Sequence, residues 1–219
     1  MLGISYRLVE YSTLSHATID DLRARLGTAP KASDDPAYRA KMLHKLPEAK
    51  TVDRVAFILK HCTGKRVLEF GASGKLHEEL RKVSDYIGVD RAEGDRVLAY
   101  DLDDTTYVDL SYVAAAAPAP EVIVCGEVLE HLGNPLHFLT RLRKQYAGTP
   151  TIITVPNAFG AAGAGWLAKG YENVNRDHVA WYSPKTISVL LERAGYSIGQ
   201  LFYYNGEGPT AEGLIVVTE

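Results

Sequence analysis

Val67-Leu68-Glu69-Phe70-Gly71-Ala72-Ser73-Gly74-Lys75 is the stretch whose reading decides the fold. A short apolar run ends at a glycine, and Leu76–Val83 then follows with helical spacing. That is a buried strand turning sharply into a helix. Tyr86–Asp90 reads as a second strand and Arg96–Leu102 as a third. Glu121–Cys125 reads as the fourth, Pro135–Gln145 as a helix and Thr151–Val155 as the fifth strand. Ser183-Pro184 supplies an N-cap and first position for a helix through Arg193, stopped by Gly195. Ser197–Tyr204 and Gly213–Thr218 are closing strands around the turn-rich NGEGPTAE. Strands alternating with helices predict an α/β Rossmann-like, doubly wound sheet, mostly parallel, with helices on both faces. The short final return predicts an antiparallel pair at the C-terminal edge.

Upstream, Thr18–Leu26 reads as a short helix. Asp35-Pro36 reads as the start of another, carrying Tyr38, Met42, Leu43 and Leu46. Residues 1–50 are expected to form a helical lid, and 51–219 the main domain, with an acceptor-site insertion at about 157–182. A third helix after Thr51 should end before Thr63-Gly64. Ala114–Pro120 (AAAAPAP) reads as a surface connection.

The chain has 219 residues, enough for one such domain with a full core. Its net charge of −3, without a basic run, disfavours a non-specific grip on nucleic acid. Cys62 and Cys125 have no metal-ligand or CxxC spacing, and the N-terminal MLGISYRLVEYS lacks the apolar core of a signal peptide. No apolar run approaches the roughly 20 residues that span a bilayer. A cytoplasmic setting without membrane contact is expected.

In a doubly wound sheet, ligands bind at the carboxyl ends of the strands. Gly71 and Gly74 allow close approach of backbone to ligand, and Glu69 can accept from an ammonium or an amide. Asp90, ending the second strand nineteen residues after Gly71, is placed to hold ribose hydroxyls. Asp101 could take an adenine amino group while Leu102 covers the ring, and Cys125-Gly126-Glu127 offers backbone acceptors. The glycines form GxxG, not the GxGxxG of a dinucleotide site, which lowers the case for NAD.

Beyond the fourth strand runs Glu127-Val128-Leu129-Glu130-His131. If it begins a helix, Glu127, Glu130 and His131 share a face. With His178, which follows the fifth strand, they form a possible divalent-metal set of two carboxylates and two imidazoles. The metal-free alternative has Glu127 on the cofactor, with His131 or His178 as general base, an imidazole of ordinary pKa ~6.5 being suited to this. Glycines, the aromatics Phe159, Trp166, Tyr171 and Trp181, and the polar Asn157 mark 157–182 as the wall of an acceptor pocket.

Together VLEFGASGK, YIGVD, EVIVCGEVLEHLGNPLHFLTRLR, IITVPN and DHVAWYSPKTISVLLERAGY resemble the class I S-adenosylmethionine-dependent methyltransferases. The nearest group is the small-molecule one that includes ubiquinone-biosynthesis O-methyltransferases. The resemblance spans about Arg66 to Tyr196, and it implies S-adenosylmethionine as cofactor. It places Glu69, Gly71, Ala72, Ser73 and Gly74 at the methionine part and Asp90 with Arg91 at ribose. Asp101 and Leu102 fall at adenine, and Cys125, Gly126 and Glu127 at the cofactor amino group. Two departures stand out: Lys75 where many members have glycine, and only ten residues between Asp90 and Asp101. The ExxEH segment with a later His is also similar to small-RNA 3′-end 2′-O-methyltransferases, in which the set holds a divalent ion. The expected reaction is O-methylation of a small hydroxylated acceptor. The alternatives are an RNA 2′-O-methyltransferase and a catalytically silent cofactor-binding module.

Overall fold

A computed structural model of the chain describes residues 36–103 and 110–219. The chain divides after Lys45, and Leu46–Glu219 forms one compact unit. The preceding unit contributes helix α1 (Pro36–Met42), which begins at the proline as expected. The expected helix Thr18–Leu26, and with it most of the expected lid, lies outside the described residues.

The main unit is a seven-stranded sheet with helices packed against both faces. In chain order its elements begin with α2 (Arg54–Cys62), β1 (Arg66–Phe70), α3 (Gly74–Val83), β2 (Asp85–Asp90), β3 (Val97–Ala99) and α4 (Ser111–Ala116). They continue with β4 (Val122–Gly126), a 3-10 turn (Leu129–His131), α5 (Pro135–Gln145), β5 (Thr151–Pro156), α6 (Ala161–Leu167), α7 (Pro184–Arg193), β6 (Ile198–Tyr204) and β7 (Gly213–Thr218). The strand order is β3-β2-β1-β4-β5-β7-β6, parallel from β3 to β5. Strand β7 runs antiparallel to both neighbours, wedged between β5 and β6. The edge pair is thus β6–β7 as expected, but it is the inner strand of the two that is reversed.

The central strands are buried along nearly their whole length, as their continuous apolar runs require. Helix α5 packs Phe138, Leu139 and Leu142 onto one face. Burying each of these fully is worth about 1.5–3 kcal/mol. Helices α2 and α3 close the other face through Ile58, Cys62, Leu76 and Leu80. Helix starts follow the sequence chemistry. Asp53 accepts from Ala56 N at 2.7 Å, and Asn134, ahead of Pro135, accepts from His137 N at 3.1 Å. Ser183 and Thr186 form a reciprocal capping box ahead of α7.

Two local expectations change. The third strand keeps only Val97–Ala99, and the chain then leaves the sheet at Tyr100. The alanines of the AAAAPAP tract continue helix α4, with Val113 and Ala117 buried, because alanine favours helix until Pro118 stops it. At the far edge, residues 50–52 zip onto β6, with Tyr203 N donating to Lys50 O and Val52 N to Tyr203 O, both at 2.9 Å. This covers an otherwise open strand and brings α2 beside the carboxyl ends of the sheet. Among the described residues, no helix is long and apolar enough to cross a membrane.

Candidate active site

The carboxyl ends of β1, β2, β4 and β5 gather nearly all the residues singled out above. Gly71 has a φ of +78°, and a side chain there would run into Val128. Only glycine fits, so the loop passes close to the turn after β4. Gly74 opens α3 with a φ of +65°. Ser73 is exposed at its N-cap, and Ala72 is buried against the sheet.

Glu69 lies beneath this loop, only 1% exposed. Its Oε2 accepts from the Tyr86 hydroxyl at 2.5 Å, and His77 Nδ1 stands 2.8 Å from that hydroxyl. Because the hydroxyl proton points at Glu69, the imidazole must be the donor in the second bond. Burial pushes the Glu69 carboxyl up to about 7, against the lowering effects of the Tyr86 hydrogen bond and the Arg54 charge. Glu69 is therefore a support below the loop, where the sequence suggested an open acceptor for the cofactor's ammonium.

Asp90 is half-buried at the end of β2, and its Oδ1 accepts from Arg91 N at 2.6 Å while Arg91 itself is exposed. Asp101 is exposed and accepts from Asp103 N at 2.9 Å. Leu102 does not stand open to cover a ring. With the third strand cut short, it turns into the core beside Leu110 and Val113. Cys125 is fully buried, and burial first of all raises its thiol far above the usual range, so only its backbone is available to a ligand. Gly126 follows it, and a side chain there would press on Leu76 at 3.3 Å.

Glu127 corrects the expected metal set. No regular helix starts here. Glu127 adopts a φ of +56°, and only Leu129–His131 form a 3-10 turn. The left-handed residue breaks the i, i+3, i+4 face and swings its carboxylate away. Oε1 instead accepts from Thr154 Oγ1 at 2.8 Å and Tyr204 OH at 2.7 Å, with Arg54 Nη1 at 3.6 Å. Sequence reasoning missed Arg54, Thr154 and Tyr204 altogether. One signal existed: a cation at the first position of α2 opposes the helix dipole, so another partner had to hold it there.

The other three residues of the set do converge. Ligand atoms of Glu130, His131 and His178 lie within 4.8 Å of one another. The two imidazoles meet edge to face with ring centres 4.6 Å apart. The segment carrying His178 is pinned to the turn because Val179 N and Ala180 N both donate to Glu130 O, at 2.8 and 3.3 Å. His131 Nδ1 faces Asp177 O at 3.3 Å, which leaves Nε2 for another partner. Glu130 is 1% exposed, yet among the described residues no side-chain or backbone group of another residue hydrogen-bonds to either carboxylate oxygen. Burial, reinforced by the nearby Glu127 charge, raises its carboxyl to about 8. Burial and then the His131 charge lower the pKa of His178, which favours its neutral imidazole. A buried acid with no partner beside two imidazoles fits a divalent cation, and it equally fits a proton-handling site.

His178 also lines a cavity of about 740 Å³ between the end of β5 and α6. Phe159, Leu167, Tyr171 and Trp181 form its apolar wall. Asn157 borders it, but its side chain is fully engaged. Nδ2 donates to Pro209 O and Ala211 O, and Oδ1 accepts from Phe159 N. Asn157 holds the wall to the β6–β7 turn, and both of its amide protons are taken by backbone carbonyls. Among the described residues, no Lys or Arg lines this cavity.

Comparison with known proteins bears on the family and the fold. A family model described as a methyltransferase domain matches residues 38–201. A ubiquinone biosynthesis O-methyltransferase of Cereibacter sphaeroides is 29% identical over 151 residues, covering 60% of this chain and 60% of that protein. Among solved structures, the small RNA methyltransferase HEN1 superposes with a TM-score of 0.60 at 17% identity, over 76% of this chain and 24% of its own. A SAM-dependent methyltransferase from Archaeoglobus fulgidus gives 0.56 at 14% identity, over 75% and 90%.

Proposed function

The chain belongs to the methyltransferase-domain family and is an S-adenosylmethionine-dependent methyltransferase, and from that premise we propose that it methylates a hydroxyl oxygen of a small, uncharged acceptor. The observation that carries this reading is the partnerless, buried Glu130 carboxylate beside His131 and His178, at the border of a cavity without cationic lining. A hydroxyl is a poor nucleophile until its proton is removed, and a proton acceptor is what this corner supplies. A volume of about 740 Å³ suits a small molecule.

S-adenosylmethionine would be held along the carboxyl edge, by the glycine loop at its methionine end and Asp90 at its ribose, and when bound would supply the methyl group. The acceptor enters the cavity, and its aromatic wall excludes water and orients the hydroxyl toward the methyl group. The oxygen attacks the methyl carbon in line, and the carbon–sulfur bond breaks with its electron pair left on sulfur. His178, whose neutral form is favoured by burial, takes the hydroxyl proton, and His131 and Glu130 lie beside it in the same cluster. Glu130, His131 and His178 are also the residues that would hold a divalent cation, which when bound would act as a Lewis acid lowering the hydroxyl's pKa.

The test is transfer of labelled methyl from S-adenosylmethionine to a panel of hydroxylated metabolites, run beside RNA oligonucleotides, with and without EDTA. Labelling of neutral hydroxylated molecules, lost in His178→Ala, supports the proposal. Labelling confined to RNA 3′ ends would replace it with the second reading, which the similarity of the Glu130, His131 and His178 spacing to small-RNA methyltransferases favours. The net charge and the cavity's lack of cations oppose that reading.

A further inference from the structure

We propose that Tyr86 is a positioning residue for the cofactor, acting through Glu69: with His77 it holds a negative charge beneath the glycine loop. The inference rests on S-adenosylmethionine binding at that loop, and it needs no knowledge of the acceptor.

The geometry is specific. Glu69 on β1 is paired in register with Gly88 on β2, and Tyr86 stands two residues before Gly88 on the same face. To reach Glu69, the Tyr86 side chain must cross the backbone of Gly88. A Cβ added at Gly88 would meet Tyr86 Oη at 2.5 Å and the Cβ of Ala72 at 2.6 Å. Gly88 has an ordinary φ, so its lack of a side chain serves this crossing and not a special turn. The Ala72 contact shows that the same small space lies directly under the Gly71–Gly74 loop. Tyr86 is 1% exposed, and a phenol so deeply buried would be costly without its two partners, Glu69 and His77.

The chain's rank order of charges fits the assignment. Above the loop the cofactor carries a cationic ammonium and, before transfer, a cationic sulfonium. Below it Glu69 faces Arg54 of α2, Asp90 and Tyr86 of β2, His77 of α3, and the buried thiols Cys62 and Cys125. The Tyr86 hydroxyl is the one hydrogen-bond donor to Glu69 among these contacts, and it favours the ionised form of the acid. Removing it leaves burial unopposed by that bond, so Glu69 stays protonated to higher pH. The neutral acid no longer attracts the cofactor's cations.

The experiment is calorimetric binding of S-adenosylhomocysteine at pH 6, 7 and 8 to the native chain, Tyr86→Phe, His77→Gln and Glu69→Gln, each first checked for native circular dichroism. The native chain should bind several-fold more weakly at pH 6 than at pH 8. Tyr86→Phe keeps the ring and moves that transition up by about one pH unit, which lowers the ionised fraction of Glu69 at pH 7 by about fivefold. His77→Gln, which can still donate to the phenol, should shift it less. Glu69→Gln should bind with no such transition. A native pH profile in Tyr86→Phe, or a persisting transition in Glu69→Gln, overturns the proposal. A native chain that does not bind S-adenosylhomocysteine at any pH would instead overturn the cofactor assignment on which it rests.

Discussion

Glu130→Gln should stabilise the protein at alkaline pH, and the size of the effect follows from the burial of the carboxylate. In the folded chain its pKa rises from an ordinary value near 4.5 to about 8, chiefly because the acid is out of water and secondly because the Glu127 charge lies nearby. The folded state thus binds this proton more tightly than the unfolded state does. The penalty for ionising is absent below about pH 4.5, grows between there and pH 8, and is complete above pH 8. At about 1.36 kcal/mol per unit the full shift corresponds to roughly 5 kcal/mol, an upper limit that relaxation and water entry reduce. We expect about 2–3 kcal/mol. Gln has the same shape and cannot ionise, so the variant should match the native chain near pH 4 and exceed it at pH 9. Urea denaturation across this range, in EDTA, reads the difference directly. Two stability curves that run parallel with pH would refute the reasoning. Adding a divalent cation at pH 8 should raise the native midpoint and leave that of Glu130→Gln unchanged if the cluster binds metal.

Asp90→Ala should weaken S-adenosylhomocysteine binding by about 2–3 kcal/mol, the scale of hydrogen bonds to a charged acceptor, as measured by calorimetry; unchanged affinity would remove Asp90 from the ribose site. Gly71→Ala forces a side chain into a positive φ and against Val128, and should cost about 1–3 kcal/mol of stability by chemical denaturation together with cofactor affinity. His178→Ala should lower turnover far more than cofactor affinity, since proton removal matters in the transition state; a loss of affinity alone would make His178 a cofactor contact. Trp181→Ala should raise the acceptor's KM with little change in the Kd of S-adenosylhomocysteine, because Trp181 lines the cavity and none of the cofactor loop.

The sheet was legible because its signal is collective: five apolar runs separated by helical stretches admit few other arrangements. The pairing of His131 with His178 was legible for the same reason, since both follow adjacent parallel strands, β4 and β5, and must emerge at one edge. What could not be read was the direction of individual side chains where the backbone departs from a regular element. Glu127 was assigned by helical spacing, and its left-handed φ cancelled that spacing. Leu102 was placed on a strand that ends three residues earlier. Asn157 read as a polar residue of the pocket wall, but its amide nitrogen donates to carbonyls more than fifty residues away, at Pro209 and Ala211. Tyr86 and Gly88 could have been connected from their spacing of two beside Glu69. Nothing in the sequence alone told a buried acid with a partner from one without.

That distinction separates the two ends of the site. Glu69 and Glu130 are equally hidden, each 1% exposed, and both are pushed upward by burial. Glu69 is given a phenol, and behind it an imidazole, so its charge is held by fixed partners. Glu130 is given none among the described residues, although its own backbone carbonyl holds the two amides that fix the His178 segment. An unpartnered buried acid lowers stability, and a chain that needed only packing there could carry a leucine or a glutamine at no such cost. The fold spends backbone hydrogen bonds to bring His178 to Glu130 while leaving the carboxylate open. On the function proposed here, the partner that completes Glu130 is the acceptor's hydroxyl or a cation, and the pH and chelator dependence of Glu130→Gln tells the two apart.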